Sequence, residues 1–128
     1  MKGPLTDSQG CYSLGLSPDS WGGLALFRLN GEIKDGRGQV STRESMAGYM
    51  GKWTHLVGTY ADGEQKIYVN GKLSGTQPYQ QPIQNDANAL VVGGYYSAGH
   101  LFQGDLDDLM IFNRALSGTE VEMLYKLR

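Results

Sequence analysis

The stretch from Trp53 to Lys72, WTHLVGTYADGEQKIYVNGK, constrains the fold more than any other part of this chain. Its side chains alternate between two faces from Trp53 to Tyr60 and again from Lys66 to Asn70, which is the period of an extended strand. Asp62-Gly63 and Asn70-Gly71 are residue pairs that tolerate the positive φ angles of a tight hairpin turn. The stretch therefore predicts two successive hairpins and three antiparallel strands.

Length and composition exclude several classes of protein. The 128 residues suit one domain with one core. The net charge of −2 provides no basic surface for phosphate groups, so we expect no nucleic acid partner. No apolar run approaches the ~20 residues of a membrane span. The first ten residues lack the apolar core of a signal peptide.

Glycine and tyrosine content, together with the strand patterns, favours an all-β protein. The chain contains 19 Gly and 8 Tyr and few long apolar runs, which is typical of short strands joined by tight turns. Residues 1–10 are polar and rich in turn formers, so we predict a flexible lead-in followed by a single domain over residues 11–128. Outside the central stretch, the predicted strands are Tyr12 to Leu16, Gly23 to Asn30, Gln39 to Thr42, Leu90 to Gly94 and Leu101 to Asn113.

One helix is predicted, near the C-terminus. Ser117-Gly118-Thr119-Glu120 has the spacing of a capping box. In this motif the Ser117 hydroxyl accepts a hydrogen bond from the Glu120 backbone N–H, and the Glu120 carboxylate accepts one from the Ser117 backbone N–H. Val121, Leu124 and Tyr125 then form an apolar stripe. We expect this short helix to pack on a sheet.

The ordered motifs WTHLVGTYADG, KIYVNGKLSG, LVVGGY and FQGDLDDLMIFNRALSGTEVEMLY resemble the laminin G-like, concanavalin A-like jelly-roll domains of large secreted bacterial proteins. The resemblance implies an all-β antiparallel jelly-roll β-sandwich with one short C-terminal helix, located outside the cell or on its surface. Members of this family bind sugars or proteins on the same scaffold, so the resemblance does not select one ligand. Our working hypothesis is a non-catalytic carbohydrate-binding or adhesion module of a larger secreted protein. Glycans and extracellular proteins are both expected ligands.

The resemblance also implies that the domain is N-terminally incomplete. Similar domains begin with strands that pair with their final strand, and none is recognisable before Tyr12. We therefore expect the strand from Leu101 to Asn113 to present an open edge, which can pair with a second copy or a neighbouring chain. The alternative function is thus a structural or assembly domain without a small ligand.

Sugar recognition requires an exposed aromatic face together with amide or carboxylate groups for the hydroxyls. Two predicted loops and one turn have this composition, and tyrosines in loops are equally common in protein interfaces. The candidate ligand-binding residues are Trp21, Tyr79, Asn85, Asp86, Tyr95, Tyr96 and His100. Trp53 and His55 also share a face, but we expect them to serve core packing, because large aromatic side chains dominate the energetics of cores. His55 is a poor metal ligand, since no second His or Cys lies near it.

Calcium is the one cofactor that the resemblance suggests. In similar domains the Asp of the FxGxID motif binds Ca²⁺ with N-terminal backbone oxygens, and Asp107 occupies that position. The alternative is that Asp107 accepts backbone N–H groups at a turn. Asn85, Asp86 and Asn88 form a second oxygen-rich set, which also fits a solvated turn.

Catalysis has little support in the sequence. Glucanases of this general fold place two carboxylates along one strand in a Glu-x-Asp-x-x-Glu pattern. Glu32 and Asp35 have the wrong spacing, and Cys11 has no evident base. No serine lies in a nucleophile elbow. We therefore expect a protein that is not an enzyme.

Overall fold

Two antiparallel sheets form the framework of the computed structural model, which describes residues 12–17, 22–30, 38–83, 90, 92–93 and 102–127. Sheet A has the order β1-β2-β3, with β1 at Tyr12–Leu16, β2 at Ala25–Leu29 and β3 at Gln39–Ser41. Each of these strands falls within a segment predicted as a strand. The β3 strand leads into one turn of 3-10 helix at Met46–Tyr49.

Sheet B is the predicted meander, with β4 at Leu56–Ala61, β5 at Glu64–Val69 and β6 at Lys72–Pro78. The central residues of both hairpin turns have positive φ, at 52° and 73° for Asp62 and Gly63 and at 49° and 81° for Asn70 and Gly71. These angles are those of the primed turns that match the twist of antiparallel strands. The central prediction from the sequence is therefore confirmed.

The core lies between the two sheets. It is built from the inward side chains of β2, β3 and β5, together with Met46 and Tyr79. The Phe27 ring lies against Gly58 so closely that a Cβ on Gly58 would come within 2.5 Å of the Phe27 Cγ atom. Gly75 lies close to the backbone at Ser41, since a Cβ there would be 2.3 Å from the Ser41 carbonyl oxygen. Glycines in β4 and β6 thus allow the sheets to approach each other.

Buried polar side chains join the sheets across this core. The fully buried Gln65 donates from Nε2 to the carbonyl oxygens of Phe27 at 3.2 Å and Gly38 at 3.3 Å. Asn30 donates from Nδ2 to the Tyr79 hydroxyl at 2.8 Å and to the Pro82 carbonyl at 2.9 Å. The amide NH₂ groups of both side chains thus find backbone or hydroxyl acceptors, whereas the buried Oε1 atom of Gln65 has no hydrogen-bond partner among the described residues.

Helix α1, at Gly118–Lys126, packs on the outer face of sheet B. Leu116 and Val121 contact Tyr68, and Val57 and Leu124 complete this second cluster. The predicted capping box is present: the Glu120 N–H donates to Ser117 Oγ at 3.1 Å, and the Ser117 N–H donates to Glu120 Oε1 at 2.9 Å. The helix prediction is therefore confirmed. No helix of the described residues is long and apolar enough to cross a membrane.

Three expectations about local structure are wrong. Residues 102–113 are not in a strand, and Asp108 has a φ of 53°, which interrupts the alternation that predicted one. Trp53 is 59% exposed rather than packed in the core, because β4 begins three residues later at Leu56. The described residues of the predicted strand from Leu90 to Gly94, which are Leu90, Val92 and Gly93, are not in a strand, and Gly93 has a φ of 87°. The lead-in at 1–10 lies outside the described residues.

Replacing Gly58 with alanine should lower the free energy of unfolding by about 1–3 kcal/mol, because the new methyl group displaces the Phe27 ring. Urea denaturation measures the change. Gly15→Ala is the matched control, since Gly15 is also in a strand and a Cβ added there would have no atom within 4 Å. Equal effects of the two substitutions would contradict the proposed role of Gly58.

Candidate functional site

A groove runs between the outer face of the β4–β5 hairpin and the start of α1. It is an open groove with a volume of about 310 Å³. The hairpin contributes one wall and the segment leading into the helix contributes the other. The lining residues are Thr59, Ala61, Asp62, Glu64, Lys66, Tyr68, Ala115, Leu116, Ser117, Gly118 and Glu120.

Strand register explains why these hairpin side chains share a surface. Thr59 pairs with Lys66, and Ala61 pairs with Glu64, so that their side chains project to the same side of sheet B. The intervening residues, including Gln65 and Ile67, project into the core. Alternation thus places apolar residues inside and a row of polar groups along the groove.

Charged groups surround a less exposed floor. Thr59 and Tyr68 are only 7% and 5% exposed. The Lys66 Nζ atom lies 3.5 Å from Glu64 Oε1, and both side chains remain partly exposed. Because this ion pair is solvated, it contributes little to stability and its members can exchange partners with a ligand.

Glu120, at the helix end of the groove, is held by a paired contact with Arg114. Arg114 donates from Nη1 to Oε1 at 2.8 Å and from Nη2 to Oε2 at 2.6 Å. The Arg114 hydrogen bonds, followed by the Ser117 backbone N–H, lower the pKa of Glu120 to about 2. Its carboxylate is therefore ionised at neutral pH and is occupied by the arginine and the helix cap.

Tyr79 lies in the core and does not offer the exposed ring that a sugar requires. It is 4% exposed, and its ring centroid lies 5.8 Å from that of Tyr60. The Tyr60 hydroxyl donates to the carbonyl oxygens of Tyr79, at 3.0 Å, and of Gln81. Tyr79 thus fixes the chain after β6 against the core, because its aromatic body is apolar and its hydroxyl finds a buried partner.

Asp107 is exposed, and its Oδ1 atom accepts the backbone N–H of Asp108 at 2.8 Å. This contact is the turn interaction considered as the alternative to calcium binding. Among the described residues, no group of three or more His, Cys, Asp or Glu side chains could hold a metal ion. A calcium ion at Asp107 stays a prediction.

The other predicted ligand residues lie outside the described part of the chain. They are Trp21, Asn85, Asp86, Tyr95, Tyr96 and His100. The structure therefore neither brings these residues together nor separates them. The predicted binding loops stay predictions.

The sequence model of the concanavalin A-like lectin/glucanases superfamily matches residues 3–122. The chain belongs to this superfamily. Its two antiparallel sheets and short C-terminal helix are consistent with the sandwich of that fold. The resemblance to laminin G-like domains, and the fold class it implied, are therefore confirmed.

The fold of this superfamily member is also similar to a solved structure. That structure is of an S-layer domain-containing protein from Clostridium thermocellum, with a TM-score of 0.56 and 21% sequence identity. The match covers 80% of this chain and 52% of the other. This chain therefore spans about half the length of the solved one.

Sequence reasoning missed the groove because its two walls are distant in the chain. The pairing of Thr59 with Lys66 follows from the predicted hairpin, but nothing local indicates that the segment before α1 crosses the same face. One feature of the sequence could have indicated that another element covers this face. Val57 and Tyr68 both project outward from sheet B, and large side chains of this kind are usually buried.

Replacing Glu120 with glutamine should flatten the pH dependence of stability in acid. The pKa of Glu120 is lowered from 4.5 to about 2, so its stabilising effect is present above pH 4.5 and is lost as the pH falls toward 2. Glutamine can still cap the helix but cannot form the ion pair. Thermal unfolding between pH 2 and 6 measures the difference.

Glu44→Gln is the control for this prediction, because Glu44 is exposed and distant from α1 in the sequence. The wild-type and Glu44→Gln proteins should lose stability in parallel below pH 4.5. A Glu120→Gln profile that follows them would show that the pair with Arg114 contributes nothing to folding.

Proposed function

We propose that this chain is a non-catalytic binding or adhesion module of a larger extracellular protein, with a carbohydrate as its ligand. Membership of a superfamily named for lectins and glucanases supports a carbohydrate ligand. The similar solved protein is named for an S-layer domain, which supports a position outside the cell or on its surface.

The groove is the observation that carries the proposal. Its lining supplies hydroxyl groups from Thr59, Tyr68 and Ser117, carboxylates from Asp62 and Glu64, and the ammonium group of Lys66. Sugars present closely spaced hydroxyls that both donate and accept hydrogen bonds, so a lining of mixed donors and acceptors suits them. The volume of about 310 Å³ lies at the small end of ligand sites.

The charge state of the groove supports binding rather than hydrolysis. A glycosidase needs one carboxylic acid with a raised pKa to protonate the leaving oxygen, together with a second carboxylate. Glu120 has the opposite property, because Arg114 and the helix cap lower its pKa to about 2. Asp62 and Glu64 lie at the turn end of the hairpin, where the backbone reverses. They are therefore not spaced along one strand, as the two carboxylates of a glucanase of this fold are.

The loop residues predicted from the sequence are a second candidate surface for the sugar. An aromatic platform from Trp21, Tyr95 or Tyr96 would stack on the apolar face of a sugar ring, while Asn85, Asp86 and His100 would bond its hydroxyls. An extracellular protein is the other ligand class that such a tyrosine-rich surface suits. Calcium at Asp107 belongs to the same proposal, as a structural ion near the FxGxID-type motif.

Lys66→Met should weaken binding of the strongest glycan by about tenfold or more, since a hydrogen bond from a charged donor is lost. A panel of immobilised glycans identifies that sugar, and calorimetry measures its Kd. Lys72→Met is the matched control, because Lys72 is an exposed lysine of β6 outside the groove. It should leave the Kd unchanged.

Two outcomes would change these conclusions. If Lys66→Met has no effect but the Tyr95→Ala, Tyr96→Ala double variant weakens binding, the loops rather than the groove hold the sugar. If the folded protein binds no glycan on the panel, with or without calcium, the carbohydrate proposal fails.

The second candidate function is assembly through sheet edges, and one observation favours it. On one side of the sandwich, β3 and β6 lie together, and the Arg43 N–H donates to Ser74 Oγ at 3.0 Å. On the other side, β1 and β4 each pair with only one strand of the described residues. Free strand edges of this kind support pairing with another chain.

A further inference from the structure

The side of the sandwich between β1 and β4 lacks cover among the described residues, and we call it the open side. The β2 strand lies over β5, and its Phe27 ring reaches Gly58 of β4. Because the order in sheet A is β1-β2-β3, β1 extends beyond β2 toward the free edge of β4. The next position in sheet B, beside β4, has no strand in the part of the chain that the structure describes.

An apolar row on β1 faces this position. Tyr12, Leu14 and Leu16 pair in register with Leu29, Phe27 and Ala25 of β2 and so share their core face. The β2 residues are at most 8% exposed, whereas the β1 residues are 44–47% exposed. The row therefore continues the core face past the area that sheet B covers.

The chain also carries an apolar stretch that no described strand pairs with, and we call residues 106–112 the tail segment. Its large apolar side chains are 48–64% exposed. Leu109 and Ile111 alternate in the sequence with Met110 and Phe112, so an added strand would place the two pairs on opposite faces. Either face would then present apolar side chains to the β1 row.

We propose that the protein forms a two-fold dimer in which the tail segment of each copy adds a strand beside β4 of the other. The added strand would cover the β1 row with one face and continue sheet B. This inference rests on the assembly function and names its partner as a second copy. None of the side chains of the β1 row or the tail segment lines the carbohydrate groove.

The uncovered area is large enough for such a dimer. The β1 row contributes Tyr12, Leu14 and Leu16, and one face of the tail segment contributes two or three of Leu106, Leu109, Met110, Ile111 and Phe112, each about half exposed. Together they present on the order of 500 Å² per copy. Because a two-fold dimer fills both open sides, its interface would bury on the order of 1,000 Å² in total, the lower limit for a specific interface.

A second copy fits because one chain carries both halves of the interaction. Reciprocal exchange fills two open sides with two tail segments and closes the assembly, as expected for a two-fold dimer. The β4 strand, LVGTYA, also contains none of the charged residues or prolines that protect a free edge in a monomer. Its exposed edge therefore favours a partner over solvent.

Sedimentation equilibrium over a range of concentrations tests the proposal, with the wild-type chain expected to be a dimer. Leu14→Glu damages the receiving row and Ile111→Glu damages the tail segment. Each should weaken dimerisation more than tenfold, because a carboxylate is buried without a partner. Met50→Glu is the control, since Met50 is 75% exposed and lies outside both surfaces, and it should remain dimeric.

Mixing the two damaged variants gives a sharper test. A heterodimer of Leu14→Glu and Ile111→Glu keeps one intact row opposite one intact tail segment, so the mixture should dimerise better than either variant alone. Both substitutions add a negative charge, so attraction between them cannot explain the rescue. A dimer without this rescue would overturn the exchange of tail segments.

A monomeric wild-type chain would also overturn the proposal, and hydrogen exchange then shows whether the assembly function survives. Fast exchange of the β4 amides that do not bond to β5 would show that the edge of β4 is free to pair with a different chain. The dimer would then be excluded, and the assembly function would survive. Slow exchange in a monomer would place the chain's own segment beside β4. Both the dimer and the assembly function would then fail.

Discussion

The contact between β2 and the β4–β5 hairpin is the interaction on which the rest of the structure depends. The Phe27 ring lies against Gly58, and the fully buried Gln65 donates to the Phe27 carbonyl group. The packing of the Phe27 ring and the hydrogen bond from the Gln65 amide therefore connect the two sheets at the same residue, Phe27. The absence of a side chain at position 58 is what permits this close approach, since interiors are packed without spare volume.

The outer face of the same hairpin supports the remaining elements. Val57 and Tyr68 project away from the core and are covered by Leu116, Val121 and Leu124 around α1. The groove forms where this cover ends and polar side chains take over along the strands. One hairpin thus carries the core on one face and the candidate binding surface on the other.

The sequence predicted those parts of the fold that depend on residues close together in the chain. The turns at Asp62-Gly63 and Asn70-Gly71 and the cap at Ser117 depend on neighbouring residues, so the sequence identified them. Tyr79 was expected on a binding loop, but its partners Asn30 and Tyr60 are far from it in the chain. The groove and the open side likewise depend on which elements meet, and alternation within one strand contains no such information.

The long-range contacts around Asn30 also have a kinetic consequence. The Asn30–Tyr79 and Gln65–Phe27 hydrogen bonds join residues 49 and 38 positions apart, whereas the meander is built from neighbouring strands. Closing a long loop costs chain entropy before the contact is gained, so the hairpins of sheet B should form before sheet A docks on them. Contacts that form after the rate-limiting step mainly slow unfolding. The buried amides would then govern how long the native sandwich persists more than how quickly it is reached.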